Sequence, residues 1–145
     1  MKTIRYDIAP EQGLRIANVT FDEPGSPVNT MCLDWQADLG ELASRLQADK
    51  DLFDGIVLQS AKKTFFAGAD LKGVMRSTPE DAPRIFEEVE RVKRNFRLIE
   101  TTGKPVVSCL NGTALGGGWE VALVGHHRIA IDDPKIQFGM PEVSL

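Results

Sequence analysis

Apolar residues recur along the chain with two different periods. LRIANVTF (14–21) is rich in β-formers and partly alternates, so it predicts a strand. It pairs with TIRYDI (3–8) across a turn near Pro10–Gly13. DEPGSPVN follows as a loop with two prolines and a glycine. Trp35, Leu39, Leu42 and Leu46 then fall four, three and four residues apart, one face of a helix from about residue 30 to 48. GIVLQS (55–60), a short apolar run between turn residues, predicts a buried parallel strand. Ile85, Phe86, Val89, Val92, Phe96 and Ile99 form one stripe between Pro79 and Thr101. Arg84, Glu87, Glu88, Arg91, Lys93, Arg94 and Arg97 lie mostly outside it, which predicts a long surface helix stopped by Gly103. PVVSCL (105–110) is another buried strand, residues from about 118 to 125 a short helix, and HRIAI (127–131) a further strand. IQFGMPEVSL (136–145) closes the chain. Alternating β and α elements predict right-handed crossovers and a parallel sheet in one α/β unit, with no internal repeat and no flexible linker.

Composition narrows this picture. The 145 residues are 42% hydrophobic and 26% charged, as in an ordinary globular domain. A net charge of −4 argues against nucleic acid as a partner but not against an anionic small molecule. Cys32 and Cys109 stand far apart and read as reduced core thiols of a cytoplasmic protein. MKTIRYDIAPEQG has no apolar secretory core, and no apolar run approaches the roughly 18 residues of a membrane span.

Candidate chemistry sits on two loops that follow buried strands, AKKTFFAGAD (61–70) and NGTALGGG (111–118). Ligands of α/β proteins bind at the carboxyl ends of strands. Two glycine-containing turns leading into helices can aim two N–H groups at one oxygen atom, with help from a helix N-terminus. Gly116, Gly117 and Gly118 would then leave the backbone bare for a carbonyl. Glu120, in the first turn after them, suits either a partner for that helix end or a proton-transfer group. Glu142, after a short strand, suits either a solvated loop or the same chemistry. The triple glycine is not a dinucleotide fingerprint, because its spacing fails. His126 and His127 point to opposite faces of a strand start and have no third ligand, so no metal is expected. Trp119 is read as a core-facing aromatic.

FFAGADLK, then KPVVSCLNGTALGGGWEVAL, then IQFGMPEVSL together resemble the enoyl-CoA hydratase/isomerase family, the crotonase superfamily. FDEPGSPVNTM is similar to that family's second-strand exit loop. The stretch from Glu120 to Glu142 looks most like the hydratase part of bifunctional fatty-acid oxidation proteins, which add an NAD-dependent 3-hydroxyacyl-CoA dehydrogenase. The resemblance implies a crotonase-like (ClpP/crotonase) ββα-repeat spiral, here its N-terminal portion. It implies an oxyanion hole made by the N–H groups of Ala69 and Gly117. It also implies catalytic carboxylates at Glu120 and Glu142, one activating water for attack at C3 and the other delivering the C2 proton. Ala67, Gly68, Asp70, Leu71, Lys72 and Gly116 fall along the substrate and CoA groove. Lys62-Lys63 suit either CoA phosphates or a solvated loop.

The implied partners are an acyl-CoA thioester, further copies of the same chain and, for a full-length parent, a thiolase subunit. Coenzyme A enters as part of the substrate, no cofactor or metal is expected, and NAD belongs to a dehydrogenase domain outside these residues. Family domains continue past PEVSL into a glycine-rich loop and further helices, so residues 1–145 read as a hydratase domain truncated before its C-terminal helices. Δ3-Δ2 isomerisation is the rival activity; the presence of both Glu120 and Glu142 favours hydration. A non-catalytic fragment acting only in self-association or partner binding is the rival of another class.

Overall fold

The computed structural model describes residues 1–69 and 75–144. Strands β1 (Ile4–Glu11) and β2 (Leu14–Phe21) form an antiparallel hairpin in register from Ile4↔Phe21 to Glu11↔Leu14. Its turn is tighter than the sequence suggests. Only Gln12 and Gly13 lie outside the strands, both at positive φ, the two-residue turn whose twist matches a hairpin. Pro10 is tolerated inside β1 because that strand is an edge.

Helix α1 (Leu33–Ala48) crosses to β3 (Gly55–Ser60), which pairs in parallel with β2. A 3₁₀ turn (Pro79–Asp81) leads into α2 (Ala82–Glu100). Strand β4 (Val106–Leu110) lies parallel to β3. After β5 (Ala114–Leu115) and α3 (Gly117–Leu123), β6 (His127–Ala130) adds in parallel to β4. The main sheet therefore runs β1-β2-β3-β4-β6, parallel except at its first hairpin. A second sheet pairs β5 with β7 (Phe138–Gly139), ahead of a 3₁₀ turn Pro141–Ser144.

The core lies between the sheet and α1. Trp35, Leu39, Leu42 and Leu46 are all buried there, as their spacing requires. Phe21 meets Phe65 and Phe66 edge-on, with centroids 5.9 and 5.4 Å away, and Trp35 meets Phe66 at 5.2 Å. The loop after β3 is thus anchored by two rings sunk in the core. Ile56 and Leu58 alternate with half-buried Val57, so β3 buries one face fully rather than both.

Three other expectations need correction. Helix α1 begins at Leu33, because residues 29–31 are drawn into bonds with residues 67–68 and cannot be helical. The apolar stripe of α2 is buried only at Ile99, while Phe86 is 66% and Val89 50% exposed. Only the C-terminal part of α2 lies over α1, where Phe96 meets Trp35 and Gln47 donates to the Leu98 carbonyl. Finally, neither thiol is fully buried: Cys32 and Cys109 are both half-buried and free, and burial pushes the Cys109 thiol up. Trp119 is likewise half-buried, stacked on Phe138 at 5.5 Å while packing against the core.

His126 is a structural bridge. Its Nδ1 accepts the Val106 N–H at 3.0 Å, so its Nε2–H faces the Glu100 carbonyl oxygen at 3.1 Å. Among the described residues no group of three His, Cys, Asp or Glu could hold a metal ion. Nor is any described helix long and apolar enough to cross a membrane.

Candidate active site

The loops leaving the carboxyl ends of β2, β3 and β4 converge. Phe66 bridges Ala114, and β5 lies beside β7, so residues 66–69, 114–118 and 137–142 run side by side. Their approach is backbone to backbone. A Cβ placed on Gly68 would lie 2.9 Å from the Leu115 carbonyl oxygen, 3.3 Å from the Gly117 nitrogen and 3.4 Å from that of Gly118. A Cβ on Gly118 would strike the Phe66 carbonyl oxygen.

Two peptide groups are aimed by their carbonyls. The Gly68 carbonyl accepts the Met31 N–H at 2.9 Å. In a planar trans peptide the N–H points opposite to the carbonyl, so the Ala69 N–H is turned away from Met31. The Gly116 carbonyl accepts the N–H groups of Trp119 (2.8 Å) and Glu120 (3.1 Å), which turns the Gly117 N–H out of the start of α3. A Cβ on Gly117 would sit 3.4 Å from the Ala69 nitrogen, so the two groups are close neighbours. Among the described residues neither N–H has a hydrogen-bond partner. α3 has only seven residues, so these fixed N–H groups matter more than any long helix dipole.

Glu142 arrives through the second sheet. Gly116 donates its N–H to the Gly139 carbonyl at 2.9 Å, and the next turn lays the Glu142 carboxylate against Gly116. A Cβ on Gly116 would collide with Oε1 and stand 2.9 Å from Cδ. Gly116 also holds φ 54° and ψ −128°, a conformation that side chains disfavour. Glu120 faces a cavity of about 490 Å³ between the start of α1 and the α2 stripe. Ala69 and Met31 share that lining; Ile85, Val89, Val92 and Phe96 supply its apolar wall. Val89 of the exposed stripe thus faces this cavity, whereas Phe86 does not line it. Glu142 does not line this cavity.

Of the remaining expected site residues, Ala67 is exposed and Gly68 buried within the same turn, while Asp70, Leu71 and Lys72 lie outside the described residues. Lys62 is committed elsewhere. It pairs with Asp22 at 2.8 Å, holding that carboxyl below its ordinary range, and donates to the Glu23 carbonyl at 2.7 Å. Lys63 is exposed. Sequence reasoning missed Met31, whose thioether lies 2.9 Å from where a Gly117 Cβ would stand, and Asn29, buried between the loops. The VNTM segment was the available signal for both.

The class this fold defines is the crotonase-type α/β proteins. An enoyl-CoA hydratase from Bacillus anthracis superposes with a TM-score of 0.80 at 24% identity, over 98% of this chain and 52% of that one. The enoyl-CoA hydratase of Mycobacterium smegmatis gives 0.77 at 25% identity, over 100% of this chain and 51% of that one. The chain belongs to the enoyl-CoA hydratase/isomerase family, whose model matches residues 11–145. It is 37% identical over 132 residues to the fatty acid oxidation complex subunit alpha of Shewanella oneidensis, and 37% identical over 131 residues to that of Idiomarina loihiensis. Each match covers 90% of this chain and only 18% of the relative.

Proposed function

We propose that this chain carries the acyl-CoA thioester site of an enzyme that hydrates 2-trans-enoyl-CoA to 3-hydroxyacyl-CoA in fatty-acid β-oxidation. The observation that carries the reading is the pair of carbonyl-aimed N–H groups at Ala69 and Gly117, unpartnered among the described residues, beside two carboxylates. The thioester oxygen accepts from both N–H groups. Water adds to C3 as one carboxylate takes its proton, and the C2=C3 electron pair moves towards the thioester oxygen. The charge that develops there is what fixed donors stabilise. The pair then returns to C2, which takes a proton from the other carboxyl group, the one that enters the step as the protonated acid. Ala67, Gly68, Gly116 and the segment of Asp70, Leu71 and Lys72 border the CoA moiety. The addition is redox-neutral, so it draws on no NAD; any nicotinamide chemistry belongs to a separate domain of the relatives. Residues 1–145 supply the N-terminal part of the hydratase domain, in keeping with the half of each solved neighbour that they cover. A cytoplasmic homo-oligomer joined to a thiolase subunit is the assembly the resemblance suggests.

Glu120→Gln and Glu142→Gln test the roles, because each removes a proton-transfer group at almost constant volume. In the full-length protein each is expected to lower kcat for crotonyl-CoA hydration by about 10²–10⁴-fold while thioester affinity stays nearly unchanged. Near-normal turnover in either variant removes that residue from the mechanism.

A further inference from the structure

The geometry points to Asn29 as the positioning residue for the Ala69 N–H, an inference that rests on the functional reading above. Asn29 is only 2% exposed, although it is a polar residue in a loop. Its Oδ1 accepts the Glu23 N–H at 3.0 Å, which fixes the orientation of the amide. Its Nδ2 then faces the carbonyls of Phe21 (3.3 Å) and Phe65 (3.2 Å) and the Ser60 hydroxyl (2.9 Å). Those groups belong to the end of β2, the end of β3 and the loop beyond it. Ser60 passes the tie onward by donating to the Thr64 carbonyl at 2.7 Å. One carboxamide thus clamps both loops at their roots.

The clamp continues through the backbone. The Asn29 carbonyl accepts the Ala67 N–H at 2.9 Å, and two residues on Met31 donates to the Gly68 carbonyl at 2.9 Å. Residues 29–31 therefore lie alongside 65–68 with three fixed points: the Phe65 carbonyl, the Ala67 N–H and the Gly68 carbonyl. The last sets the plane of the Gly68–Ala69 peptide and hence the direction of the Ala69 N–H. A buried amide with its partners satisfied is costly to disturb, and a small rotation of this peptide spoils a donor that must meet one oxygen atom. Asn29 makes no hydrogen bond to Glu120 or Glu142; its ties run to the strand ends and to the loop that carries Ala69.

Asn29→Asp keeps the size but replaces the donating Nδ2 with an oxygen facing three acceptors. In the full-length protein it is expected to lower kcat for crotonyl-CoA by about 10- to 100-fold, short of the complete loss of a donor. KM should change by less than about threefold, as for an interaction made mainly in the transition state. The deciding readout is the infrared carbonyl band of bound butyryl-CoA, isotopically labelled at the thioester carbon. Wild type should shift that band to lower frequency, and Asn29→Asp should lose a large part of the shift. A variant that melts earlier yet keeps both the shift and kcat would show a purely structural asparagine and overturn the inference. Should Asn29→Asp fail to fold, Ser60→Ala removes one acceptor of the same clamp. It should reduce kcat and the shift in the same direction, and unchanged values overturn the inference. A wild-type protein that neither shifts the band nor hydrates crotonyl-CoA overturns the functional reading itself, and this inference with it.

Discussion

A Cβ on Gly118 would strike the Phe66 carbonyl oxygen and lie 2.8 Å from its carbon. A Cβ on Gly117 would instead meet the Met31 Sδ and Cε, both at 2.9 Å. The first obstacle is backbone anchored by a core ring; the second is the end of a flexible side chain. The two alanine variants should therefore separate. Gly118→Ala is expected to destabilise the protein by about 3 kcal/mol, at the upper end of overpacking costs. Gly117→Ala should cost about 1 kcal/mol as Met31 swings aside, yet lower kcat by at least about tenfold by crowding the N–H pair. Thermal melting and crotonyl-CoA turnover of both variants check this; a Gly117→Ala protein with normal kcat would contradict the assignment of that N–H. The sequence marks this glycine run as special, but not its reasons. Gly116 answers to Glu142, Gly117 to Met31 and Gly118 to Phe66, and each neighbour is remote in the chain. A side chain at any of the three would meet protein atoms, so each is also required by packing, beside the role proposed for the Gly117 N–H.

At the scale of elements, α1 does more than bury its stripe. Asp38, 6% exposed, accepts the Lys2 N–H (2.7 Å), the Thr3 N–H (2.6 Å) and the Thr3 hydroxyl (2.8 Å). Burial opposes its ionisation, but these donors outweigh burial and hold its pKa below the ordinary carboxylate range. Its folded-state pKa is thus depressed relative to the unfolded chain. The stability it contributes is fully present above the unfolded value, near ~3.9, and is lost as pH falls through the folded one. Asp38→Asn is expected to cost about 2 kcal/mol at neutral pH and to flatten the acid limb of stability against pH. Urea melts of both proteins from neutral to acid pH check it; parallel acid limbs would contradict the role given to Asp38. α1 and α2 are legible because helical periodicity survives over many turns. The two-residue strands β5 and β7 are not, since two residues carry no period. The true start of α1 is hidden for another reason: long-range bonds to residues 67 and 68 override local helix preference.

Across the whole molecule, a mostly parallel sheet presents the ends of β2, β3 and β4 at one edge, and the loops beyond them meet there. The alternation of strands and helices in the sequence foretells that edge, as ligand sites of α/β folds lie outside the carboxyl ends of strands. It does not foretell the cavity, because α2 reaches α1 only through tertiary packing. A volume of about 490 Å³ with an apolar wall suits a small-molecule tail. Glu120 and Ala69 on the same lining place polar groups beside that wall. The central claim is that water adds across the enoyl thioester at this site. Its most direct test is the product that the full-length protein forms from crotonyl-CoA in deuterium oxide, read by mass spectrometry and proton NMR. The account predicts 3-hydroxybutyryl-CoA carrying one deuterium at C2. Recovery of crotonyl-CoA unchanged, or of a 3-enoyl thioester with no added oxygen, would contradict it.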